Sequence, residues 1–430
     1  MKKLILGLTF FFILEGFSMA LQTHELPNGV QLVYKHVPGN KITSVQLWMK
    51  TGSVNETAKN NGISHFLEHM VFKGTEKFAP DEIDTLVEAK GGQMNAATSK
   101  DYTFYYITIP TFNVETAFNV ISQMVFEATF PKEEIKKEKP VVIQEIMRKY
   151  DSPTYDMWTY LSETLYKNTP YSREVIGSVK NIKSFDRQTL LKYYNSFYHP
   201  ANMTLVVVGD LSEDRAKELA MQYFNKTKNA KPVSKNFGIP GKMNKDITKV
   251  FEKDITQSYT ALVYRAPSLM SGEKYALEVL TEILSGGEYS LLNEKLKNIE
   301  NPLVNMVFGG YMGQKYGGSF TFFYTKHPST DGDPLSKIKE IIDNLQKEKI
   351  SENDLKKAKN RLKAETVFQR EKASNEANDI GMAHTLEIPD YYKNYVENID
   401  AVELSDIKDI ADKIFSDNYI LVKTVPIKQQ

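Results

Sequence analysis

An order of strand-like and helix-like segments laid down between residues 30 and 224 returns between residues 259 and 425. In the first pass, period-two alternation predicts strands over 30–35 and 43–50, and helical periodicity predicts helices over 62–73 and 80–90. Gly91-Gly92 then punctuates, and 93–98 and 102–109 read as strands joined through Ser99-Lys100-Asp101. Helices follow over 113–127, 131–150, 154–166 and 186–197, then a buried strand over 204–210 and a helix over 212–224. The second pass gives a strand at 259–264, a helix at 271–285 and strands at 303–311 and 317–325. It continues with helices at 334–348, 352–378 and 403–415 and a strand at 419–425. Such a repeat implies two tandem homologous α/β units of about 200 residues each, an α+β fold in which each unit is a mostly antiparallel sheet covered by helices. Residues 225–245, rich in Lys, Asn, Pro and Gly and poor in large apolar side chains, read as the linker between a unit at 21–224 and a unit at 246–430.

Ahead of the first unit, Met1-Lys2-Lys3 precedes an uncharged run from Leu4 to Leu14, and Ser18 and Ala20 supply the small residues of a cleavage site. Residues 1–20 are therefore expected to be a secretory signal peptide cut after Ala20, which sends the mature chain to the periplasm or the outside of a bacterial envelope. The apolar run is about half of the roughly 20 residues that a membrane span needs, so no stable membrane anchor is expected. The chain carries 54 basic and 54 acidic side chains, a balance that lacks the electrostatic footprint of a nucleic-acid binder. It has no cysteine, which excludes disulfides, thiolate metal sites, thiol nucleophiles and a thioether lipid anchor. Any metal must be held by His, Asp or Glu.

Only seven histidines occur, and two of them fall in His65-Phe66-Leu67-Glu68-His69. At about 100° per residue, His65, Glu68 and His69 share one helix face. Two imidazoles one turn apart can chelate one metal ion, and the carboxylate between them can reach a water at that ion without competing as a ligand. The alternative is a solvated or core-satisfied helix face. On the helix over 131–150, Glu138 and Glu145 lie two turns apart on one face. Paired acids on a charged helix are usually just solvated, but the apolar Val141-Val142-Ile143 run argues for partial burial, where an unpaired carboxylate is costly.

The His65-x-x-Glu68-His69 pattern resembles the inverted zinc motif of the pitrilysin/insulinase metallopeptidases. In that family the third ligand is a Glu about 76 positions beyond the second His, and Glu145 stands at that spacing. The likeness extends to Gly62-Ile63-Ser64, Phe72-Lys73-Gly74-Thr75, Gly91-Gly92-Gln93-Met94-Asn95-Ala96, Pro170-Tyr171-Ser172-Arg173 with Gly177, Tyr198-His199-Pro200-Ala201-Asn202-Met203 and Val208-Gly209-Asp210. These motifs are similar to the shorter, processing-peptidase-like bacterial branch. They are dense in the first half and thin in the second, where Tyr264-Arg265-Ala266-Pro267 and Ile283-Leu284-Ser285-Gly286-Gly287 carry them.

The resemblance implies a zinc endopeptidase with a catalytic zinc-binding unit at 21–224 and a homologous inactive unit at 246–430. His65, His69 and Glu145 would ligate Zn2+, Glu68 would serve as general base, and Glu138 would be the supporting glutamate of the site. The strand with Gln93, Asn95 and Ala96 would pair with an extended peptide through its main chain. Two departures stand out. Pro140 inside the presumed helix predicts a kink near Glu138. The family's substrate-anchoring Arg and Tyr are replaced by Lys297 and Asn305, and an ammonium and an amide do not reproduce a guanidinium and a phenol. This predicts a heterodimer with an inactive paralogue that retains the pair, with a homodimer as the alternative. The competing class is a non-catalytic scaffold or peptide-binding partner subunit of the same fold. Tyr102, Tyr105 and Tyr106 read as strand core, His199 and His327 as loop residues, and His384 has no acidic partner at ligand spacing.

Overall fold

The computed structural model describes residues 21–226, 238, 241–347 and 350–427. The expected leader at 1–20 and most of the expected linker at 225–245 lie outside the described residues. The first half contains strands β1 (Gln22–Glu25), β2 (Gln31–His36) and β3 (Ile42–Met49), helices α1 (Ile63–Met70) and α2 (Glu82–Ala89), and strands β4 (Gln93–Thr98) and β5 (Thr103–Pro110). Helices α3 (Val114–Phe126), α4 (Lys132–Tyr150), α5 (Tyr155–Leu165), α6 (Val179–Ser184) and α7 (Arg187–Phe197) follow, then β6 (Met203–Gly209) and α8 (Glu213–Phe224). The second half contains β7 (Ile247–Lys253), β8 (Tyr259–Ala266), α9 (Lys274–Ser285), β9 (Val304–Gln314) and β10 (Gly317–Lys326). It ends with α10 (Pro334–Gln346), α11 (Glu352–Arg370), α12 (Ala373–Thr385), α13 (Pro389–Lys393), α14 (Tyr395–Ala401), α15 (Leu404–Phe415) and β11 (Tyr419–Pro426).

The two sheets repeat one topology. The first has the order β1-β2-β6-β3-β5-β4 and the second β7-β11-β8-β10-β9, so that β7, β11, β8, β10 and β9 take the places of β2, β6, β3, β5 and β4. Within each sheet one pair is parallel, β2 with β6 and β7 with β11, and the others are antiparallel. The fold is thus the α+β class, with mostly antiparallel sheets and helical cover. β6 is buried on both faces along its whole length, which accounts for its unbroken apolar run. In β5 only alternate residues, Thr103, Tyr105, Ile107 and Ile109, are buried.

Each half lends a helix to the other. Met157, Leu161 and Leu165 of α5 pack on Ala261, Val263, Ile420 and Val422 of the second sheet. In return Ala373, Ala377, Ile380 and Ala383 of α12 lie across β3 and β6, against Val33, Trp48, Val206 and Val208. The contact is close enough to require glycine at 381, where a Cβ would stand 2.1 Å from Trp48 Nε1. Lys35 on β2 donates to the buried Glu376 of α12 at 2.5 Å, and the Tyr392 hydroxyl donates to the same oxygen at 2.8 Å.

The structure corrects several expectations. The single helix expected over 352–378 is two, α11 and α12, broken at Glu371-Lys372. Neither Gly nor Pro marks that break; it is set by α12 docking on the other half. The strand β7 falls just past the expected linker, and as a largely exposed edge strand it lacks apolar alternation. The helix α4, in which a kink is expected at Pro140, runs from Lys132 through Tyr150 with Pro140 inside it, so Glu138 and Glu145 stand on one continuous helix. Both Pro140 and Lys136 lie on the exposed side of the helix. No helix among the described residues is long and apolar enough to cross a membrane.

Candidate metal centre

The helix α1 is amphipathic in a way that aims its polar residues at one place. Ile63, Phe66, Leu67 and Met70 are buried in the first core, leaving His65, Glu68 and His69 on the opposite face. Its start is pinned from below. The backbone amides of Gly62 and Ser64 and the side-chain amide of Asn61 each donate to the carboxylate of Glu56 at 2.8 Å. Glu56 is 3% exposed, and burial pushes its carboxyl up to about 7 against the pull of those donors. Gly62 has φ +96° and its α-carbon backs onto Gly177, with a would-be Cβ only 2.6 Å from the Ile176 carbonyl oxygen, so no side chain fits there.

The helix α4 packs beside α1 through a stripe of Ile135, Glu138, Val142 and Ile146. Glu138 therefore sits in a buried position, at 6% exposure, where it accepts from His69 Nδ1 at 2.8 Å and lies 3.4 Å from Lys73 Nζ. Burial raises its carboxyl, but the His69 bond and the Lys73 charge outweigh that and hold it below the usual range. Two turns on, Glu145 Oε1 is 3.7 Å from His65 Nε2, and Glu145 Oε2 is 3.8 Å from His69 Nε2. One ligand atom from each of these three residues lies within 4.8 Å of the others, the one such cluster among the described residues.

These residues fit a metal ion. Zinc at its usual distances of about 2.0–2.2 Å from nitrogen and carboxylate oxygen would need donors about 3.3–3.6 Å apart, close to the 3.7 and 3.8 Å between Glu145 and the two imidazoles. Burial, then the neighbouring His69 and Lys149, lowers His65 to about 4, so the imidazole is neutral with a lone pair to give. For His69, burial is outweighed by the Glu138 bond and the charges of Glu68, Glu138 and Glu145, and its basicity rises. With Nδ1–H committed to Glu138, its Nε2 is the free donor, turned toward Glu145. Two nitrogens and one carboxylate leave a fourth tetrahedral position open, the donor set of a hydrolytic rather than a structural zinc.

Glu68, on the same face between the two histidines, feels the charges of His69 and Glu145 and reaches β4. Thr98 Oγ1 donates to its Oε2 at 2.5 Å, and burial raises its carboxyl despite that bond. Thr98 ends β4, the edge strand of the first sheet, which runs beside α1. On β4, Gln93 and Asn95 are exposed, while half-buried Ala96 turns with Met94 toward the first core. Lys297 and Asn305 lie in the second half, Lys297 in one π-helical turn 3.9 Å from Glu288, and Asn305 exposed on β9, the edge of the second sheet. Tyr105 is wholly buried against Tyr198, and His199 is buried in a turn rather than exposed. Thr98, Lys73 and Glu56 escaped the reading by spacing: Thr98 and Lys73 meet the site through tertiary contacts, and Glu56 through a loop that folds back on the start of α1.

Residues 31–179 match the family described as Insulinase (Peptidase family M16), and residues 184–362 match the Peptidase M16 inactive domain. The chain is 27% identical over 413 residues to the uncharacterized zinc protease YmxG of Bacillus subtilis, covering 94% of this chain and 98% of that one. It is 28% identical over 433 residues to the zinc protease PqqE of Helicobacter pylori, covering 96% of each. The crystal structure of a protease from Helicobacter pylori superimposes with a TM-score of 0.90 at 26% identity, over 95% of this chain and 99% of that one.

Proposed function

Given that the chain belongs to the insulinase family of peptidases, peptidase family M16, we propose that it is an active zinc endopeptidase that cuts extended peptides in the bacterial envelope. The observation that carries this reading is the convergence of His65 Nε2, His69 Nε2 and the Glu145 carboxylate, with Glu68 on the same helix face. His65, His69 and Glu145 would hold zinc, which supplies a Lewis acid to polarise the scissile carbonyl and acidify a water. Glu68 takes a proton from the attacking water and returns it to the leaving amine. Glu138 keeps the proton on His69 Nδ1 and so keeps Nε2 free. The open edge of β4, at Gln93, Asn95 and Ala96, receives the peptide by main-chain pairing, which makes sequence selectivity loose.

The assembly follows from what the second half lacks. With Lys297 and Asn305 in place of an Arg/Tyr anchor, the substrate is held by an inactive paralogue closing over this zinc site, and a homodimer is the runner-up. The leader-like residues 1–20 support a periplasmic or secreted location. Mass spectrometry of a random peptide mixture incubated with the purified protein, alone and with its paralogue, tests the reading. Cleavage that a chelator abolishes is expected, with one zinc per chain. A chain that binds no zinc and leaves the mixture intact even with its paralogue would be a scaffold or peptide-binding subunit instead.

A further inference from the structure

We propose that Thr98 is a positioning residue for the proton-transfer step, holding Glu68 by one oxygen and thereby linking the substrate-pairing strand to the general base. The inference rests on the peptidase reading above. A glutamate has three side-chain torsions and populates several rotamers unless something holds its end. Here the holder is Thr98: its Oγ1 donates to Glu68 Oε2 at 2.5 Å, and its backbone N–H also bonds the carboxylate, so only the hydroxyl's share is removed by a side-chain substitution. Its place is fixed from both sides. Thr98 pairs with Thr103 on β5, and the turn that follows is anchored at three points: Ser99 O accepts from Ser53 N at 3.2 Å, Lys100 O accepts from Val54 N at 2.9 Å, and Asp101 Oδ2 accepts from Lys315 N at 3.2 Å. Its cross-strand neighbour Thr103 uses its own hydroxyl differently, donating to the Thr51 carbonyl, so the Glu68 bond is particular to Thr98.

The chemistry of a hydroxyl suits both halves of the step. It donates to Oε2 while Glu68 is a carboxylate, and it can keep donating to that oxygen once the proton sits on Oε1. With Oε2 engaged by the Thr98 hydroxyl, Oε1 is the better placed oxygen to take a new proton. The proton leaving the water therefore goes to Oε1, and from there to the leaving nitrogen, while Thr98 holds the carboxyl group throughout. Since Thr98 closes β4, a peptide seated on that strand is tied through one residue to the group that acts on it.

The test compares Thr98→Val, Thr98→Ser, Glu68→Gln and the Thr98→Val/Glu68→Gln double variant, each in the assembly that is active for the wild type, on one internally quenched peptide. Thr98→Val is expected to keep its zinc and a KM within about twofold while kcat falls about 10–100-fold, the range for a residue that supports a working group. Thr98→Ser restores most of the loss. In the Glu68→Gln background, Thr98→Val costs nothing further, because the two act as one unit. Independently of activity, a crystal of metal-free Thr98→Val protein shows Glu68 spread over more than one rotamer, whereas wild type and Thr98→Ser show one. Wild-type turnover in Thr98→Val, no rescue by serine, an additive loss in the double variant, or a single unchanged Glu68 rotamer each overturns the proposal. A wild-type protein with no chelator-sensitive cleavage overturns the peptidase reading together with it, a result distinct from an active wild type with an equally active Thr98→Val.

Discussion

Replacing Glu138 by Gln separates the two things this carboxylate does for the metal centre. In the structure it accepts from His69 Nδ1 at 2.8 Å and faces Lys73 at 3.4 Å, and it is almost fully buried. Glutamine fills the same volume and its amide oxygen can still accept from Nδ1–H, so the ring orientation and tautomer survive. What goes is the negative charge that makes His69 a stronger electron donor and offsets Lys73. Loss of such support weakens zinc binding by about 10–100-fold, or about 1.4–2.8 kcal/mol. Glu138→Ala goes further, leaving the Nδ1–H and the Lys73 ammonium without their partner, and is expected at or beyond the upper end of that range. Glu145→Ala removes a ligand and should abolish stoichiometric zinc. The assay is competition for zinc against a chelator of known affinity at constant pH, with far-UV circular dichroism of the metal-free proteins to exclude misfolding. If Glu138→Gln bound zinc within a factor of two of wild type, or lost it as completely as Glu145→Ala, the supporting role argued here would be wrong.

Three further perturbations test other parts of the structure. Glu68→Gln should retain zinc and lose about 10²–10⁴ in turnover, because an amide cannot take the proton; loss of the metal, or near wild-type cleavage, would reject the general-base role. Gly381→Ala should destabilise by about 1–3 kcal/mol through overpacking against Trp48, read by urea unfolding followed by tryptophan fluorescence, and a change below about 0.5 kcal/mol would mean that α12 is free to shift. Burial raises Glu56 from its ordinary 4.5 to about 7, so its proton is held more tightly in the fold, and its contribution to stability is full below about pH 4.5 and is lost as pH rises through 7. Glu56→Gln should therefore gain on wild type by on the order of 3 kcal/mol between pH 4.5 and 8, and a pH-independent difference would show that the fold does not shift the carboxyl at all.

Legibility in the sequence tracked distance along the chain. His65, Glu68 and His69 are one local unit, and the periodicity of a single helix was enough to put them on one face. Glu145 reaches them only because α4 packs on α1, and spacing alone left it a solvated acid; the family resemblance pointed to it. Glu138 could be misjudged because Pro140 suggests a kink, whereas in the fold the proline falls on the exposed side of α4. Thr98 carried no signal, since a threonine ending a strand is an ordinary residue until tertiary contacts give it a partner, and Glu56 carried none because its partners are backbone and amide donors of an irregular loop, which no side-chain pattern marks. The same holds for the break between α11 and α12. No Gly or Pro lies there, and only the other half of the chain gives α12 a reason to leave the line of α11.

That exchange of helices decides what kind of object the chain is. A cut between residues 226 and 241 would yield two pieces, each lacking the helix that covers one face of its sheet and each carrying a spare apolar helix made for the other. Nicked protein should therefore travel as one particle on a sizing column, and either piece expressed by itself should aggregate. The halves should share one melting transition rather than two, and a homologous unit should replace either of them only if α5 and α12 are traded with it. Rocking one half against the other would strip Trp48 and Ala261 of their cover, so the two halves move as one body.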